Sequence, residues 1–542
     1  MKKLLIATLS ILSISIPYAQ GPPQLENSPP GQVFLTPQID LKLRPVPLLV
    51  PDKFKGQVPE GEMLQLPPGF AASVFALTEL VGPRFMAWSP EGVLHVANMK
   101  VEGSEWAPRH DTSTPPARDQ MFAQIVALPD RDGDGVADTT LVVAANLWFP
   151  HSLQFYQNDL YVGDMHEVVR LRDNDGDGIY EERTVVVGNL PAGHHRTRTI
   201  LFDENSAKLY LSVGSSCDLC RETDERRATI LQADPDGANL RVYARGLRNA
   251  IGMAFHPLTR QLWITGNGHD REGNHLPPEV ITPVEDGGFY GWPLAYGYQV
   301  PVDFTISQYR DAILPLTHQD TLAIESMVRP AVQIPAHLAP MAIYFNTDEH
   351  FPPQYENVAF VALRGNGRNE VGHKVIAIFS EPDGSRAQVG DFLTGFEAGE
   401  RGKNWGKPVG LAGDGRGNLY LSSDWLNHLI IKIEAPPSST AIEEYSTLLP
   451  SRFTLSQNYP NPFNNSTTIH FSLPTSEQVR LAVYNLAGQE VVELVRGQYR
   501  AGNYALSWDG RDLDGHPLAS GVYLYRIEAG GQEKVRKLLL LQ

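Results

Sequence analysis

The segment KLYLSV, at residues 208–213, is a β-rich run that ends in small or polar side chains. Five further segments share this look: VLHVAN (93–98), DLYVGD (159–164), QLWITG (261–266), VAFVAL (358–363) and NLYLSS (418–423). Most spacings between successive segments fall between 49 and 66 residues, which is about one four-stranded blade plus connecting loops. The sequence therefore predicts an all-β fold whose main part is a six-bladed β-propeller.

One spacing is longer than the others. The 97-residue gap between the fourth and fifth segments contains TISQYRDAILPLTHQDTLAI (305–324), which we interpret as an insertion, with a seventh blade as the alternative. Residues 128–147 and 171–190 repeat one pattern 43 residues apart, each with an acidic turn followed by an apolar strand. This second repeat supports the blade count, and an array of β-sandwiches is the competing architecture.

Length and charge limit the classes of function. A chain of 542 residues is too long for one ordinary core, so at least two domains are expected unless a closed architecture absorbs most of it. The formal charge of −17 argues against a nucleic-acid partner, because phosphate binding needs a basic surface. The acidic balance instead fits solubility and cation binding.

The chain divides into five predicted parts. Two lysines precede a short apolar core at residues 4–16, and Ala19 is a small residue at the cut, which predicts an export signal. A retained membrane anchor is the alternative, although the apolar core is too short to span a bilayer comfortably. The mature protein is expected at the outer cell surface or outside the cell, without a transmembrane anchor. The parts are a signal peptide (1–19), a flexible leader (20–60), the propeller (61–434), a linker (435–448) and a C-terminal β domain (449–542).

The two cysteines, Cys217 and Cys220, lie in the stretch SSCDLC. An exported protein meets an oxidising compartment, so a local disulfide is expected. A metal site would need further Cys or His ligands close by, and a free dithiol is the other alternative.

Two acidic turns have the ligand spacing of a calcium loop. Carboxylates stand at positions one, three, five and nine of each, and a glycine (Gly135 or Gly178) at position six allows the sharp turn. Strand patterns flank both turns, so they are not EF-hands, and solvated acidic turns are the alternative to structural calcium. The predicted ligands are Asp130, Asp132, Asp134 and Asp138 in the first turn, and Asp173, Asp175, Asp177 and Glu181 in the second.

The C-terminal domain carries YPNPFNNSTTIHFSLP (459–474), VYNLAGQEV (483–491), SWDGRDLDGHPLASGVYLYR (507–526) and KVRKLLLLQ (534–542). These stretches resemble the C-terminal sorting domain of type IX secretion substrates. The resemblance implies recognition by the type IX secretion machinery and export across an outer membrane. As a fold, the alternating strands predict a small immunoglobulin-like β-sandwich, for which a carbohydrate-binding module is the other interpretation.

Five loop motifs of the propeller occur in a fixed order: GHHRTR (193–198), VGSSCDLC (213–220), GLRN (246–249), GGFYGWP (287–293) and PAHLAP (335–340). Together they resemble the soluble quinoprotein glucose/sorbosone dehydrogenase family, in its sorbosone-type branch. The resemblance runs from about Leu66 to Glu434 and implies a six-bladed propeller that binds pyrroloquinoline quinone (PQQ) and calcium.

The resemblance also implies roles for single residues. His195 matches the general base, with His194 as the alternative base and ordinary loop histidines as the alternative for both. Arg248 matches the arginine beside the reactive quinone and Asn249 its neighbouring amide, with a buried loop bridge as the alternative for both. The backbone carbonyls of Gly268 and His269 match those that hold the catalytic calcium.

Other positions depart from the family pattern. Ser215 stands where glucose dehydrogenases have an aspartate, so a different substrate or a different orienting group for the base is implied. Lys407 stands where arginine is usual, and it lacks a bidentate fork. His151 and His337 lie in loops leading into strands and are further pocket candidates. The predicted anchors for the cofactor's carboxylates are Arg364, Arg368, Lys374 and Lys407.

The sequence thus predicts a secreted PQQ- and calcium-dependent dehydrogenase that oxidises a sugar, an aldose or a sugar aldehyde, by hydride transfer to the quinone. A non-catalytic propeller that binds glycans or a protein is the first alternative. A calcium-dependent lactonase is the second, but it would need carboxylates around the central tunnel, where the predicted loops are mostly basic.

Overall fold

The structure is a computed structural model that describes residues 32–33, 38–58, 61–77, 80–99, 117–191, 193–365, 372–397, 404–424, 427–436, 453–458, 460–464, 467–499, 502–508, 510–511, 516 and 518–541. The predicted signal peptide and Arg368 lie outside these residues, as do much of the predicted leader and most of the linker. The chain forms two compact units, Met1–Pro437 and Ser438–Gln542.

About 5% of the chain is helical, and the prediction of an all-β fold is confirmed. Among the described residues of the first unit, six sheets that each contain four antiparallel strands follow one another along the chain. Four strands precede them: β1 (Gln32–Val33), β2 (Arg44–Leu49), β3 (Met63–Leu66) and β4 (Ala71–Ala76). Sheet I is β5 (Pro83–Trp88), β6 (Leu94–Asn98), β7 (Ala123–Leu128) and β8 (Leu141–Leu147). Sheet II is β9 (Ser152–Tyr156), β10 (Asp159–Asp164), β11 (Glu167–Arg172) and β12 (Glu182–Val187).

The remaining sheets repeat this arrangement. Sheet III is β13 (Ile200–Asp203), β14 (Lys208–Val213), β15 (Thr229–Ala233) and β16 (Arg241–Arg245). Sheet IV is β17 (Ala250–Phe255), β18 (Leu262–Gly266), β19 (Glu279–Pro283) and β22 (Val332–Ile334), with β1 added in parallel beyond β22. Sheet V is β23 (Pro340–Phe345), β24 (Ala359–Leu363), β25 (Lys374–Phe379) and β26 (Gln388–Leu393). Sheet VI is β27 (Pro408–Gly413), β28 (Asn418–Ser423), β29 (Leu429–Glu434) and β4.

The six segments singled out in the sequence are the second strands of the six sheets, β6, β10, β14, β18, β24 and β28. The first strands, β5, β9, β13, β17, β23 and β27, contact one another in that order, and β27 contacts β5 again. The sheets are therefore arranged around a closed cycle, which is a β-propeller-like architecture.

Small or hydroxyl side chains near the ends of second strands hold neighbouring sheets together. Thr265 donates a hydrogen bond from its hydroxyl to the carbonyl of Met341 on sheet V, at 2.7 Å. Ser422 donates in the same way to the carbonyl of Arg84 on sheet I, at 2.6 Å. A Cβ on Gly163 would lie 2.5 Å from the backbone oxygen of Arg198, in the segment that leads into sheet III. Larger side chains at these positions would separate the sheets.

Sheet VI takes its fourth strand from the beginning of the unit. Strand β4 pairs antiparallel with β29, with Val74 opposite Ile431 and Ala72 opposite Ile433, and all four side chains are buried. Strand β2 pairs in parallel with β4 and antiparallel with β3. Part of the predicted flexible leader is thus a paired strand, because Leu48 is buried in the same core.

Strand direction places the loops on two faces. The connections from each sheet to the first strand of the next, and those between second and third strands, lie on one face, which we call the loop face. The turns between the third and fourth strands of sheets I and II lie on the opposite face. Both predicted calcium turns are of this second kind, between β7 and β8 and between β11 and β12.

The long gap between the fourth and fifth segments lies within sheet IV, between β19 and β22. It holds a hairpin of β20 (Ala295–Tyr296) and β21 (Val300–Pro301) and the helices α1 (Ser307–Ile313) and α2 (His318–Glu325). Thr317 caps α2 in a capping box with Asp320. The gap is an insertion, as predicted, and no seventh four-stranded sheet lies in this described stretch. Among the described residues, no helix has the length and apolar character needed to cross a bilayer.

The second unit is a two-sheet β structure around its own core, which includes Ile469, Leu481 and Tyr525. One sheet has the order β30–β31–β34 and the other β33–β32–β35–β36. The strands are β30 (Thr454–Leu455), β31 (Thr467–Leu473), β32 (Glu477–Tyr484), β33 (Glu490–Tyr499), β34 (Gly502–Trp508), β35 (Gly521–Ala529) and β36 (Gln532–Leu540).

Removing the Phe75 ring tests the closure of the cycle. Phe75 on β4 is 1% exposed and packs edge to face on Tyr420, with ring centroids 5.0 Å apart. We expect Phe75→Ala to lower the free energy of unfolding by about 3–5 kcal/mol, measured by urea denaturation. Leu258→Ala, at a 65% exposed position, is the control and should change it by less than about 0.5 kcal/mol. Equal effects of the two changes would contradict the role of β4.

Candidate functional site

His195 lies in the connection that leads into sheet III, on the loop face. Its Nδ1 lies 2.9 Å from the hydroxyl oxygen and 3.0 Å from the carbonyl oxygen of Ser215. The Ser215 hydroxyl donates its own proton to the carbonyl of Cys217, at 2.6 Å. Both oxygens are therefore acceptors toward His195, so Nδ1 carries the proton and Nε2 keeps its lone pair.

The environment of His195 favours the neutral ring. Burial, followed by the positive charge of Arg248 and the neighbouring His194, holds the pKa of His195 well below its usual value. Partial burial of the ring also lowers the pKa of His194, although the residue as a whole is exposed to solvent. The two rings meet edge to face, with centroids 4.6 Å apart. Of the two histidines, His195 has the fixed tautomer that a general base requires.

Gly214 allows His195 and Asn249 to approach the second strand of sheet III. A Cβ on Gly214 would lie 2.5 Å from the Cβ of His195 and 2.7 Å from Oδ1 of Asn249. This amide oxygen is buried and has no hydrogen-bond partner among the described residues. A buried acceptor without a donor is costly, so Asn249 is suited to receive a hydrogen bond from a ligand.

Arg248 is buried in the next connection, between sheets III and IV. Its Nε donates to the carbonyl of Asp218 at 2.9 Å, and its Nη1 donates to the carbonyl of Gly268 at 2.5 Å. Its Nη2 donates to Oδ1 of Asp218 at 2.9 Å and to Oδ2 of Asp270 at 3.1 Å. Four N–H groups of the guanidinium are thus bonded to the protein, and its position is fixed.

The residues predicted to hold a catalytic calcium lie beside this arginine. The carbonyl of Gly268 accepts from the Arg248 guanidinium, and a cation bound at the same oxygen would be repelled by that charge. The buried imidazole of His269 lies 2.9 Å from a carboxylate oxygen of Glu272. The carbonyl of Gly268 therefore does not fit as a calcium ligand.

Glu279 and His337 form the floor beneath Gly268. Glu279 accepts hydrogen bonds from the backbone amides of Gly268 at 2.6 Å and His337 at 3.0 Å. Burial raises the pKa of Glu279 to about 7, although Gly268 and Arg248 oppose the rise. His337 Nε2 donates to the carbonyl of Gly273 at 2.7 Å, which makes this histidine a structural bridge.

A cluster of cations lies on the loop face of sheets V, VI and I. Asp424 accepts from Nε of Arg364 at 2.9 Å and from Nη1 of Arg84. Arg84 also donates from Nε to Nδ1 of His151 at 3.2 Å, so the proton of His151 is on Nε2. That buried Nε2–H has no acceptor among the described residues.

Lys407 adds a further charge to this cluster. Burial, followed by repulsion from Arg364, lowers the pKa of Lys407, and Asp424 opposes that shift. Arg84 and Arg364 both pair with Asp424, and Lys407 lies within electrostatic reach of the same carboxylate, so these four residues carry a formal charge of +2 (three cations and one anion). Such a donor set fits a carboxylate-bearing ligand.

The other predicted anchors are placed differently. Nζ of Lys374 lies 2.6 Å from Oδ1 of Asp391 on the outer strand of sheet V, so this lysine is engaged away from the cation cluster. His373 donates from Nδ1 to the carbonyl of Arg364 at 2.6 Å and accepts from Asn404 at 3.1 Å. Burial lowers the pKa of His373 to about 4, so it braces Arg364 as a neutral ring.

The two acidic turns on the opposite face differ in completeness. Ligand oxygens of the second set, Asp173, Asp175, Asp177 and Glu181, lie within 4.8 Å of one another. In the first turn only Asp130, Asp132 and Asp134 form such a group, because Asp138 accepts from the amide of Arg131 at 2.9 Å. A Cβ on Gly135 would lie 2.8 Å from Nζ of Lys432, so an ammonium already stands beside the first turn.

Several residues of the loop face were given no role in the sequence analysis. Arg84 and Asp424 form one ion pair although they stand 340 residues apart. Asp218 lies between the two cysteines, which the structure joins by a disulfide bond, and its position beside Ser215 was an available signal. Asp270 directly follows His269, whose carbonyl was a predicted calcium ligand.

The chain belongs to the TrAA12-like family, whose model matches residues 120–433. Its fold is similar to that of the iodide structure of Trichoderma reesei Carbohydrate-Active Enzymes Family AA12, with 20% identity, 68% of this chain and 96% of that one covered, and a TM-score of 0.55. It is also similar to the holo form of the pyranose dehydrogenase PQQ domain from Coprinopsis cinerea, with 19% identity, 72% and 99% coverage, and a TM-score of 0.54. These identities establish likeness of fold.

Two further matches complete the comparison. An uncharacterized protein of Borreliella burgdorferi is 27% identical over 239 residues, which is 43% of this chain and 59% of that protein. The chain therefore spans less than two thirds of that relative. Residues 461–533 match the FlgD Ig-like domain, which supports an immunoglobulin-like fold for the second unit.

The buried carboxylate of Asp424 is expected to stabilise the fold strongly. Asp424→Asn leaves Arg84 and Arg364 without their shared anion and should lower the free energy of unfolding by about 3–5 kcal/mol at pH 7. Burial alone would raise the pKa of Asp424, but Arg364 and Arg84 bring it below its usual value. Its contribution is therefore present above the unfolded pKa of about 3.9 and is lost as the pH falls through the folded pKa.

The free energies of unfolding of wild type and Asp424→Asn, measured by urea denaturation, should accordingly begin to converge as the pH falls below about 4. Asp286→Asn is the matched control, because the Arg241–Asp286 pair is about half exposed, and it should cost at most about 1 kcal/mol. A cost for Asp424→Asn no larger than that of the control would show that the cluster is not held by this carboxylate.

Proposed function

We propose that the first unit is a six-bladed β-propeller that oxidises a hydroxyl of a sugar, with PQQ as the electron acceptor. The observation that carries the proposal is the pairing, on one face, of a histidine with a free Nε2 and a cluster of cations with a net positive charge. The names of the similar structures, a carbohydrate-active enzyme and a pyranose dehydrogenase PQQ domain, agree with it.

The residues present fit such a cofactor. Arg84, Arg364 and Lys407 would hold its carboxylates, and the buried Nε2–H of His151 and Oδ1 of Asn249 would supply a further donor and acceptor. PQQ, when bound, supplies a quinone that accepts a hydride. Arg248 is fixed by Asp218 and Asp270, so its charge is positioned before a ligand arrives.

His195 performs the proton step. Its Nε2 accepts the proton of the sugar hydroxyl while the hydride leaves the adjacent carbon, so the alcohol becomes a carbonyl and the ring becomes an imidazolium. The Ser215 oxygens hold Nδ1–H throughout, which keeps Nε2 directed to the substrate. Because the pKa of His195 is below its usual value, the base form is present at neutral pH.

Two variants test the base. His195→Ala should lower kcat by about 10²–10⁴-fold in a dye-reduction assay with PQQ and sugars, while calorimetric titration shows unchanged PQQ binding. His194→Ala, the matched control, should retain kcat within a few-fold. For wild type, kcat/KM should fall on the acid side at a pH below about 6.5, because protonation removes the base. Loss of activity in His194→Ala alone would move the role to that residue.

A non-catalytic propeller that binds glycans is the second candidate. The observation that favours it is the saturation of Arg248, whose four N–H bonds to protein acceptors leave it little capacity for a quinone oxygen. Under this candidate the protein binds sugars in calorimetry but neither binds PQQ nor reduces dye. The lactonase is less favoured, because Asp218, Asp270 and Asp424 are already paired with arginines.

We propose in addition that both acidic turns bind structural calcium, the second more tightly. Calcium should raise the unfolding temperature. The free energy of unfolding should rise by about 2.7 kcal/mol when the free calcium concentration is a hundredfold above Kd. Asp177→Asn should abolish most of the calcium heat in calorimetry. Asp134→Asn, its counterpart in the first turn, should change it less, because Lys432 already stands beside that turn. Binding that survives Asp177→Asn unchanged would refute the assignment.

Export and sorting complete the proposal. Residues 1–19 would direct secretion, and the second unit would act as the type IX sorting domain recognised by the secretion machinery. The basis is the set of motifs from residue 459 to the end of the chain, on a unit that matches an immunoglobulin-like domain.

A further inference from the structure

The loop from residue 214 to residue 221 contacts both groups assigned to the chemistry. It follows the second strand of sheet III and contains Ser215, Asp218 and the disulfide between Cys217 and Cys220. Ser215 reaches His195, and Asp218 reaches Arg248. One short covalently closed segment therefore determines two positions that stand 53 residues apart in sequence (195 and 248).

The disulfide segment fixes Ser215 as an acceptor. The carbonyl of Cys217 takes the hydroxyl proton of Ser215 at 2.6 Å, which leaves the hydroxyl oxygen to accept from Nδ1 of His195. The amide of Ser215 donates to the carbonyl of Arg248 at 2.8 Å. Moving residue 217 would release the Ser215 rotamer and, with it, one of the two acceptors that select the tautomer of His195.

Asp218 holds Arg248 with both its carbonyl and its carboxylate. The carboxylate is itself held, because Oδ1 accepts from the amide of Asp270 at 2.9 Å and Oδ2 accepts from the hydroxyl of Tyr309 at 2.7 Å. The Asp218 carbonyl also accepts from the indole of Trp292 at 3.2 Å. The guanidinium thus meets a rigid partner.

The insertion in sheet IV covers the loop. Leu219 is buried in a cluster with Tyr309 and Ile313 of α1. Arg221 donates to the carbonyl of Ile313 at 2.9 Å and pairs with Asp320 of α2 at 2.8 Å. The disulfide-closed loop is therefore held between the insertion and the loop face.

We infer that this loop is the positioning element of the site: Ser215 fixes the tautomer of His195, and Asp218 fixes and neutralises Arg248. The inference rests on the proposed function for its catalytic meaning. Ser215 and Asp218 act through other side chains, so both are positioning residues. Ser215 offers His195 a neutral hydroxyl at the position where the resemblance to glucose dehydrogenases implies an aspartate.

Opposite charge changes in the loop test the inference. The charged or titratable neighbours of His195 are His194, Arg198 and Arg248, with Asp218 and Asp270 behind the last. Ser215→Asp places a carboxylate on Nδ1–H and should raise the titration midpoint of His195 by about 1–3 pH units. Asp218→Asn removes the charge that offsets Arg248 and should lower it. If Ser215 and Asp218 only maintained the fold, neither substitution would shift the titration midpoint of His195.

The midpoint is read in PQQ-free protein by NMR of ¹⁵N-histidine-labelled samples, with His195→Gln to assign the signal. Ser216→Ala is the matched control, because Ser216 lies in the same loop but bonds to Glu222, at 2.7 Å. It should leave the midpoint unchanged. Equal midpoints in Ser215→Asp, Asp218→Asn and wild type, or a shift in Ser216→Ala as large as that of Ser215→Asp, would overturn the inference.

Activity gives the second readout. Ser215→Ala should lower kcat about tenfold at unchanged KM, and Ser215→Thr, which keeps the hydroxyl, should restore it. This pair also decides the matter if Ser215→Asp does not fold, since an unrestored or absent loss overturns the role of Ser215. If wild type neither binds PQQ nor reduces dye, the proposed function fails, while the titration still decides the positioning role.

Discussion

The structure of the first unit depends on the pairing of β4 with β29. This pairing gives sheet VI its fourth strand from the beginning of the unit. Ala76 pairs with Ile430, more than 350 positions later in the chain. The first strands then meet in a closed cycle. Closure is what brings Arg84 of sheet I, Arg364 of sheet V and Asp424 of sheet VI to one place, because sheet I and sheet VI become neighbours only when the cycle is complete.

Within the closed cycle, backbone contacts between sheets set the precision of the loop face. Ser422 bonds to the carbonyl of Arg84, and Thr265 bonds to that of Met341, so the starts of sheets I and V are each fixed by a side chain of the preceding sheet. Gly214 has the corresponding task beside His195, where a Cβ would meet the ring's own Cβ. Small side chains at these points are required by sheet spacing as much as by chemistry.

The sequence predicted local features well and long-range pairs poorly. The repeat of short β-rich segments identified all six second strands, because a buried strand between two neighbours must be apolar along its length. The GHHRTR motif predicts His195 as the base, but its hydrogen-bond partner Ser215 was noted only as a missing aspartate. Arg84 gave no signal, because its meaning lies in a contact with Asp424. Lys374 was predicted as an anchor because it follows a loop of the predicted cofactor face. Its side chain pairs with Asp391, and that direction depends on strand register, which the sequence did not show.

The charges of the loop face are divided unevenly, and this gives the proposed site a direction. Around Arg248, the carboxylates of Asp218 and Asp270 face the guanidinium, and Arg271 also pairs with Asp218. Among the described residues, Arg84 and Arg364 pair with the carboxylate of Asp424, and Lys407 lies within its electrostatic reach. In a chain with a formal charge of −17, a buried positive cluster is maintained only by local pairing and burial. Under the proposed function, an anionic ligand would be drawn to the side of sheets V, VI and I, and Nε2 of His195, in the connection leading into sheet III, would accept the proton.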